Sequence, residues 1–269
     1  MTREYSKSLI VSVTALNAAL YAIGALVTAY IESPWGHGQF RPAIVIPATF
    51  ATIFGPWVGG VGAAIGTLIA DSIKHQTLYL PSLIAAVPAN FIAFYIYGKM
   101  LEKKFSWTSF IVSSIITLLI GNLVCAILLV AYYTYIIPVF LPQFYLQLVL
   151  GLTAWWYITM VPFQLLVTPA IVKAIAKAFP TITPEDVLRS SLSKEMPTLH
   201  FSLALLLPGL LMLSIGVATL IEPSIALSLV GVLRKAEVIA SLIQVMFLAT
   251  GGCVSALGLA LLVTHKLKA

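Results

Sequence analysis

The sequence predicts an all-α, polytopic transmembrane helical bundle with a six-span core and a C-terminal two-helix extension. The chain has 269 residues, of which 60% are hydrophobic and only 9% are charged, whereas soluble domains carry about 25% charged residues. The apolar residues form long continuous runs, not the alternating pattern of a transmembrane β-barrel. A water-soluble protein of this size needs more polar groups to cover its surface. Lipid is therefore the predicted solvent.

Eight apolar runs are predicted to be the spans. They are Ser8–Ile31, Ala43–Trp57, Val58–Ile73, Ser82–Met100, Phe110–Ile137, Leu146–Ala176, Phe201–Ile221 and Val238–His265. The first run is longer than the apolar region of a signal peptide. The second and third are short, since a helix rises about 1.5 Å per residue and a hydrocarbon core is about 30 Å thick. They form either two short spans or one re-entrant hairpin.

The positions of the basic residues predict the orientation. They lie at the ends of apolar runs, which indicates topology signals and not nucleic-acid binding. With eight crossings and a cytoplasmic N-terminus, only Arg41, Lys74, Arg234 and Lys235 lie outside. The other eleven of the fifteen lie inside: Arg3, Lys7, Lys99, Lys103, Lys104, Lys173, Lys177, Arg189, Lys194, Lys266 and Lys268. Both termini are therefore expected in the cytoplasm of a multi-pass cell-membrane protein.

A polar segment divides the chain. Residues 1–180 form the predicted six-helix core, 181–200 a cytoplasmic linker, and 201–269 a transmembrane helix pair. Within the linker, Thr183 can cap a short surface helix, Pro184–Ser193, because Pro184 suits the first helical position.

The first span carries a stripe of small residues at helical spacing. Such a stripe lets a second helix approach closely. The contact is either packing within the chain or docking of a partner. The alanines are Ala15, Ala18, Ala19, Ala22, Ala25 and Ala29.

The segment after the first span has the composition of a binding loop. Its two prolines and two glycines favour a turn conformation over a helix. The segment also combines charged, amide and aromatic side chains. Its candidate ligand-binding residues are Glu32, Trp35, His37, Gln39 and Arg41. The loop either closes over a small polar ligand or anchors its aromatic residues among lipid headgroups.

Asp71 is the most informative single residue, because a carboxylate in a membrane span is costly and is usually functional or paired. It ends a run of mostly glycine and alanine, residues 59–70. Lys74 or His75 could reach it along the helix. The residue therefore either contacts a ligand or forms an interfacial ion pair with Lys74.

Further candidates lie inside later spans. Asn90 and Asn122 are near the middle of theirs and should face the bundle, for interhelical bonding or for a ligand. Tyr132, Trp155 and Trp156 lie near the outer side, where they form either an aromatic belt or a stacking surface for a flat ring. Adjacent helical residues differ by about 100°, so the two tryptophans should face different surroundings.

Enzymatic motifs are absent from the sequence. It contains no HExxH, no GxSxG and no paired acidic motif for phosphoryl transfer. The glycine-rich run 55–66 lacks the GK[ST] ending of an ATP-binding loop. We therefore expect no enzymatic activity, no cofactor, no metal site and no ATP hydrolysis by this chain.

The order of these features resembles the substrate-binding S-component of energy-coupling factor (ECF) transporters. The resemblance rests on the small-residue first span, the loop Gly38–Ala43, the segment Phe54–Gly59 and the Gly/Ala helix that reaches Asp71. It covers about residues 8–178. The pairs Ala15/Ala19 and Ala18/Ala22 match the AxxxA motif of the family. The C-terminal pair, 201–265, is a departure, because family members usually end after six spans.

The resemblance implies a vitamin-binding or micronutrient-binding subunit that takes its substrate from outside. It also implies partners: a transmembrane scaffold, which docks on Ala15, Ala18, Ala19 and Ala22, and two cytoplasmic ATPases. The aromatic and amide residues suit a flat heteroaromatic nutrient. The alternative is a self-contained secondary transporter of a small polar solute, with Asp71 and His75 as a proton-coupling site. An inverted repeat would favour that alternative, and none is visible.

Overall fold

The computed structural model describes residues 5–33, 35–225 and 236–268. Ten α-helices are named here: α1 (Lys7–Thr28), α2 (Val45–Phe54), α3 (Pro56–His75), α4 (Val87–Glu102), α5 (Trp107–Ala131), α6 (Tyr145–Ala178), α7 (Glu185–Arg189), α8 (Leu192–Glu195), α9 (Thr198–Ile221) and α10 (Ala236–Lys268). Within the described residues, β-pairing is limited to an isolated bridge between Glu32 and Gln39. The prediction of an all-α polytopic bundle is therefore confirmed.

Seven helices in the described part of the chain are long and apolar enough to cross a membrane, and Pro42–Phe54 is a shorter apolar helix. We call the end of the bundle that carries residues 29–41, 76–81 and 137–144 the loop end. The opposite end, where α1 begins, is the terminal end. Arg3, Arg234 and Lys235, which entered the charge count, lie outside the described residues.

The region 42–75 passes twice along the bundle. A 3₁₀ turn, Pro42–Ile44, leads into α2, which runs antiparallel to α1 and reaches the terminal end. There the Tyr5 hydroxyl donates a hydrogen bond of 3.0 Å to the Ile53 carbonyl. The chain reverses at Gly55, whose φ of 90° suits a residue without a side chain. The boundary lies at Gly55 and not, as the sequence predicts, at Trp57, because Pro56 starts α3.

Helices α1 and α3 run parallel and approach closely. A β-carbon on Gly62 would lie 2.2 Å from the Asn17 amide nitrogen, and one on Gly66 would lie 2.7 Å from the Ala18 carbonyl oxygen. The buried Asn17 amide donates to the Val58 carbonyl at 2.9 Å. The glycine and alanine content of α3 therefore serves close helix packing, for which small residues are required.

Helices α4, α5 and α6 complete the core. Each begins or ends in an irregular turn at the loop end: π-turns at Ser82–Ala86 and Tyr132–Ile136 and a 3₁₀ turn at Pro142–Phe144. The π-turns are of a kind that frequently marks functional sites.

The segment after α6 is fixed to the terminal end. The Lys173 ammonium group donates to the carbonyls of Val187, Leu188 and Ser190 at 2.8–3.0 Å. Asp186 accepts from the Phe105 backbone amide at 2.6 Å. The single surface helix predicted for Pro184–Ser193 is wrong: α7 and α8 are separated at Ser190, and Pro184, not Thr183, occupies the N-cap position of α7.

The C-terminal pair, α9 and α10, forms an antiparallel hairpin with glycines at its seam. A β-carbon on Gly209 would meet Ser255 at 2.8 Å, and one on Gly251 would meet Leu213 at 2.5 Å. The hairpin packs on α6 and to a smaller extent on α5, whereas α1 packs on α2 and α3. The extension therefore covers a different side of the core from α1.

Candidate functional site

A cavity opens at the loop end between α3, α4, α5 and α6. It encloses about 880 Å³, a volume that includes open solvent at its mouth. Eight of the eleven predicted binding residues line it: Glu32, His37, Gln39, Arg41, Asp71, Asn90, Asn122 and Trp156.

The loop 29–41 covers this cavity as a small hairpin. Phe40 donates from its backbone amide to Ile31 at 2.8 Å, and Ser33 to Gly38 at 2.8 Å. Gly38 has a φ of +86°, and a β-carbon there would lie 2.4 Å from the Trp156 ring. The Trp156 indole N–H in turn donates to the Gln39 carbonyl at 3.2 Å. Trp156 therefore lines the cavity and also binds the loop that covers it.

The central ion pair joins the end of this loop to α3. Arg41 Nη2 lies 2.5 Å from Asp71 Oδ1, and both side chains are buried. The Ser82 hydroxyl donates to the second Asp71 oxygen at 2.6 Å. The alternative in which Asp71 pairs with Lys74 is therefore wrong. The reason is tertiary: the hairpin returns Arg41 to the buried side of α3.

Lys74 has a different partner. Its ammonium nitrogen lies 2.7 Å from Glu32 Oε1, and the Lys74 side chain is 10% exposed while that of Glu32 is 27% exposed. Both residues line the cavity. A second ion pair, nearer to solvent than the first, therefore also connects the loop to α3.

Ring contacts connect the three segments of the loop end. The His37 ring lies 4.2 Å from that of Tyr133 and 5.1 Å from that of Phe140. Tyr133 and Tyr79 share a hydrogen bond of 2.7 Å between their hydroxyls, and His75 stacks on Tyr79 at 3.8 Å. Burial lowers the pKa of His37, so its ring is neutral at neutral pH.

The inner part of the cavity carries two amides. Asn90 donates to the Ala86 carbonyl at 2.8 Å. The Asn122 side chain is only 8% exposed, and its amide nitrogen has no hydrogen-bond partner among the described residues. An unpaired buried donor costs free energy, so Asn122 is suited to a hydrogen-bond acceptor on a ligand.

Three predicted residues lie away from the cavity lining. Trp35 packs on Gly151 of α6, and Tyr132 is buried against Tyr133 with ring centroids 5.2 Å apart. Trp155 meets Phe247 of α10 edge-on at 5.4 Å. These rings pack in the protein, and Trp155 belongs to the contact with the C-terminal hairpin.

The alanine stripe divides into two faces. Ala18 and Ala22 are 3% and 4% exposed, inside the bundle, whereas Ala15 and Ala19 lie on the exposed face of α1. Of the four predicted docking residues, only Ala15 and Ala19 therefore lie on the surface of α1. Residues i and i+3 lie about 60° apart around a helix, and the edge of the contact with α3 falls between Ala15 and Ala18.

Several lining residues were not predicted. Tyr79 and Ser82 lie between α3 and α4, and Thr117, Cys125 and Met160 line the inner wall. Tyr79–Ser82 follows Asp71 by only a few residues, and this short distance along the chain is the one feature of the sequence that could have indicated these two lining residues. The inner-wall residues are ordinary span residues whose orientation depends on how the helices pack.

Comparison with known families extends this description. The model of the family described as ECF-type riboflavin transporter, S component, matches residues 6–177. No curated protein and no solved structure matches the chain. The match spans α1–α6 and leaves the hairpin α9–α10 outside it. Members of this family are the substrate-binding subunits of ECF transporters and not enzymes. The chain therefore belongs to the family of ECF-type riboflavin transporter S-components.

Proposed function

We propose that this chain binds a small heteroaromatic micronutrient from outside the cell, and that riboflavin, which the family name gives, is the first ligand to test. The observation that carries the proposal is the cavity at the loop end. One wall of this cavity carries the Trp156 ring, and the Asn122 amide inside it has an unused donor.

The uptake step requires other subunits. The sequence has no ATP-binding loop, so we propose a transmembrane scaffold and two cytoplasmic ATPases as partners in the cell membrane. The exposed pair Ala15 and Ala19 provides a smooth surface on α1 for the scaffold. Because the C-terminal hairpin packs on α6 and α5, it leaves this surface open.

The proposed orientation places the loop end outside and both termini in the cytoplasm. Lys7, Lys99, Lys103 and Lys173 then lie on the cytoplasmic side, as the positive-inside rule expects. The cavity would open towards the medium, where a nutrient is captured.

Calorimetry on the detergent-purified chain tests the proposal. Riboflavin should bind the wild-type protein, and Ala86→Trp should abolish binding because Ala86 lines the cavity. The control is Ala174→Trp, at an exposed position of α6, which should bind normally. If the wild-type chain does not bind riboflavin, or if Ala86→Trp binds as tightly as the control, the proposed ligand and site are wrong.

A further inference from the structure

The charged side chains that line the cavity form ion pairs with one another. Among the residues that the structure describes, four formally charged ones line it: Glu32, Arg41, Asp71 and Lys74. They form two ion pairs, Arg41–Asp71 and Lys74–Glu32. The formal charge of the lining is therefore zero.

The inner pair offers no free charge to a ligand. Arg41 Nη2 also donates to the Gln39 side chain at 2.9 Å, and Nη1 donates to Thr67 at 3.4 Å. Both Asp71 oxygens accept a hydrogen bond. A charged ligand that displaced either partner would leave a buried ion uncompensated, which is strongly unfavourable.

The outer pair is the part that an arriving ligand meets first. Glu32 is the most exposed of the four side chains, and Lys74 is held beside it at 2.7 Å. An anion attracted to Lys74 is repelled by Glu32, and a cation experiences the reverse. As long as both are present, neither sign of charge gains a net attraction.

The histidines leave this balance unchanged at neutral pH. His37 and His75 line the cavity, and a histidine side chain has an ordinary pKa of about 6.5. Burial lowers the pKa of His37 further, so its ring adds no positive charge there.

We propose that the cavity accepts uncharged ligands and rejects their charged derivatives, because burying an unpaired charge is costly and the pairing of Glu32 with Lys74 leaves neither charge free for a ligand. The proposal rests on the proposed function, because it concerns the same cavity. It extends that function by giving the charge class of the substrate and naming the two residues whose pairing keeps the cavity entrance neutral. A phosphate ester of a bound nutrient would be excluded by this lining.

The test compares riboflavin with its phosphate monoester in calorimetric titrations of the purified full chain. The readout is the ratio of the two dissociation constants in each variant, so that a general loss of affinity cancels. In the wild-type protein the ester should bind at least about tenfold more weakly. Glu32→Gln leaves Lys74 without its partner and should shift the ratio about tenfold in favour of the ester.

Removal of the positive charge instead of the negative one should shift the ratio of dissociation constants in the opposite direction. Lys74→Gln leaves Glu32 unpaired and should increase discrimination against the ester, while the double variant Glu32→Gln/Lys74→Gln should return the ratio to near the wild-type value. The matched control is Glu102→Gln. It breaks an ion pair with Lys99 of 2.5 Å on α4, away from the cavity, and should leave the ratio unchanged.

Two results would overturn the charge selectivity: equal affinity of the wild-type protein for riboflavin and its ester, or no change of the ratio in Glu32→Gln. Failure of the wild-type protein to bind either flavin contradicts the proposed function instead. In that case mass spectrometry of the small molecule that copurifies with the wild-type chain determines whether the ligand is charged. An uncharged molecule supports the selectivity, and an anion or a cation contradicts it.

Discussion

Arg41 and Asp71 are thirty residues apart in the sequence, and their side chains meet at 2.5 Å inside the bundle. The pair connects the cavity cover to α3 and is completed by Ser82 at the start of the next helix. Asp71 is therefore first a structural partner of Arg41, which changes what its substitution should do.

Asp71→Asn should destabilise the protein as well as weaken ligand binding. The substitution leaves the buried Arg41 guanidinium without a counter-ion, and breaking a buried pair on one side costs about 3–5 kcal/mol. Thermal unfolding in detergent measures this loss. The double variant Arg41→Met/Asp71→Asn removes both charges and should recover part of the stability. If Asp71→Asn unfolds like the wild-type protein, Arg41 has another source of compensation.

The two neighbouring tryptophans should respond differently to alanine substitution. Trp156→Ala removes a cavity wall and the indole bond to Gln39, so ligand affinity should fall roughly 5- to 150-fold, as expected for a stacking aromatic. Trp155→Ala removes a contact with Phe247 and should mainly lower thermal stability. Ligand affinity is measured by calorimetry, and stability by thermal unfolding, for both variants. Equal losses of affinity would show that Trp156 has no special position at the cavity.

The alanines of α1 should separate into two classes. Ala15→Trp and Ala19→Trp add bulk on the exposed face, so they should abolish copurification of a scaffold subunit while ligand binding persists. Ala18→Leu and Ala22→Leu overpack the interior and should cost about 1–3 kcal/mol of stability. Pull-down and unfolding distinguish the classes. Intact scaffold binding in the Ala15 and Ala19 variants would place the docking surface elsewhere.

The orientation can be measured with single cysteines in a background with Cys125 and Cys253 replaced by alanine. Thr77→Cys at the loop end should react with an impermeant thiol reagent added outside intact cells. Lys103→Cys at the terminal end should react only after permeabilisation. Both residues are exposed. The opposite labelling pattern would reverse the proposed topology.

Gly38 should be intolerant of any side chain. Alanine at this position would have an unfavourable φ and would contact the Trp156 ring. Gly38→Ala should therefore displace the loop and weaken ligand binding. Gly252→Ala is a control, because its nearest neighbour lies 3.9 Å away and the residue is far from the cavity in sequence and on another helix. Equal ligand affinity of both variants would show that the loop does not need its contact with Trp156.

The sequence by itself determined the class of the protein and most of its spans. Long apolar runs in a chain with few charges allow helices in lipid and little else, since every backbone polar group must be satisfied within the span. The loop 32–41 and Asp71 could be selected as candidates for the same reason, because polar groups in such a chain are costly and need a purpose.

Only the tertiary structure decided which residues pair and which face the cavity. Along one helix Lys74 was the nearest partner for Asp71, but the loop hairpin brings Arg41 closer and gives Lys74 to Glu32. In the same way, α3 buries Ala18 and leaves Ala19 exposed, and α10 takes Trp155 while Trp156 remains at the cavity. Sequence spacing fixes angles around one helix, whereas the partner on each face is set by contacts between segments far apart in the chain.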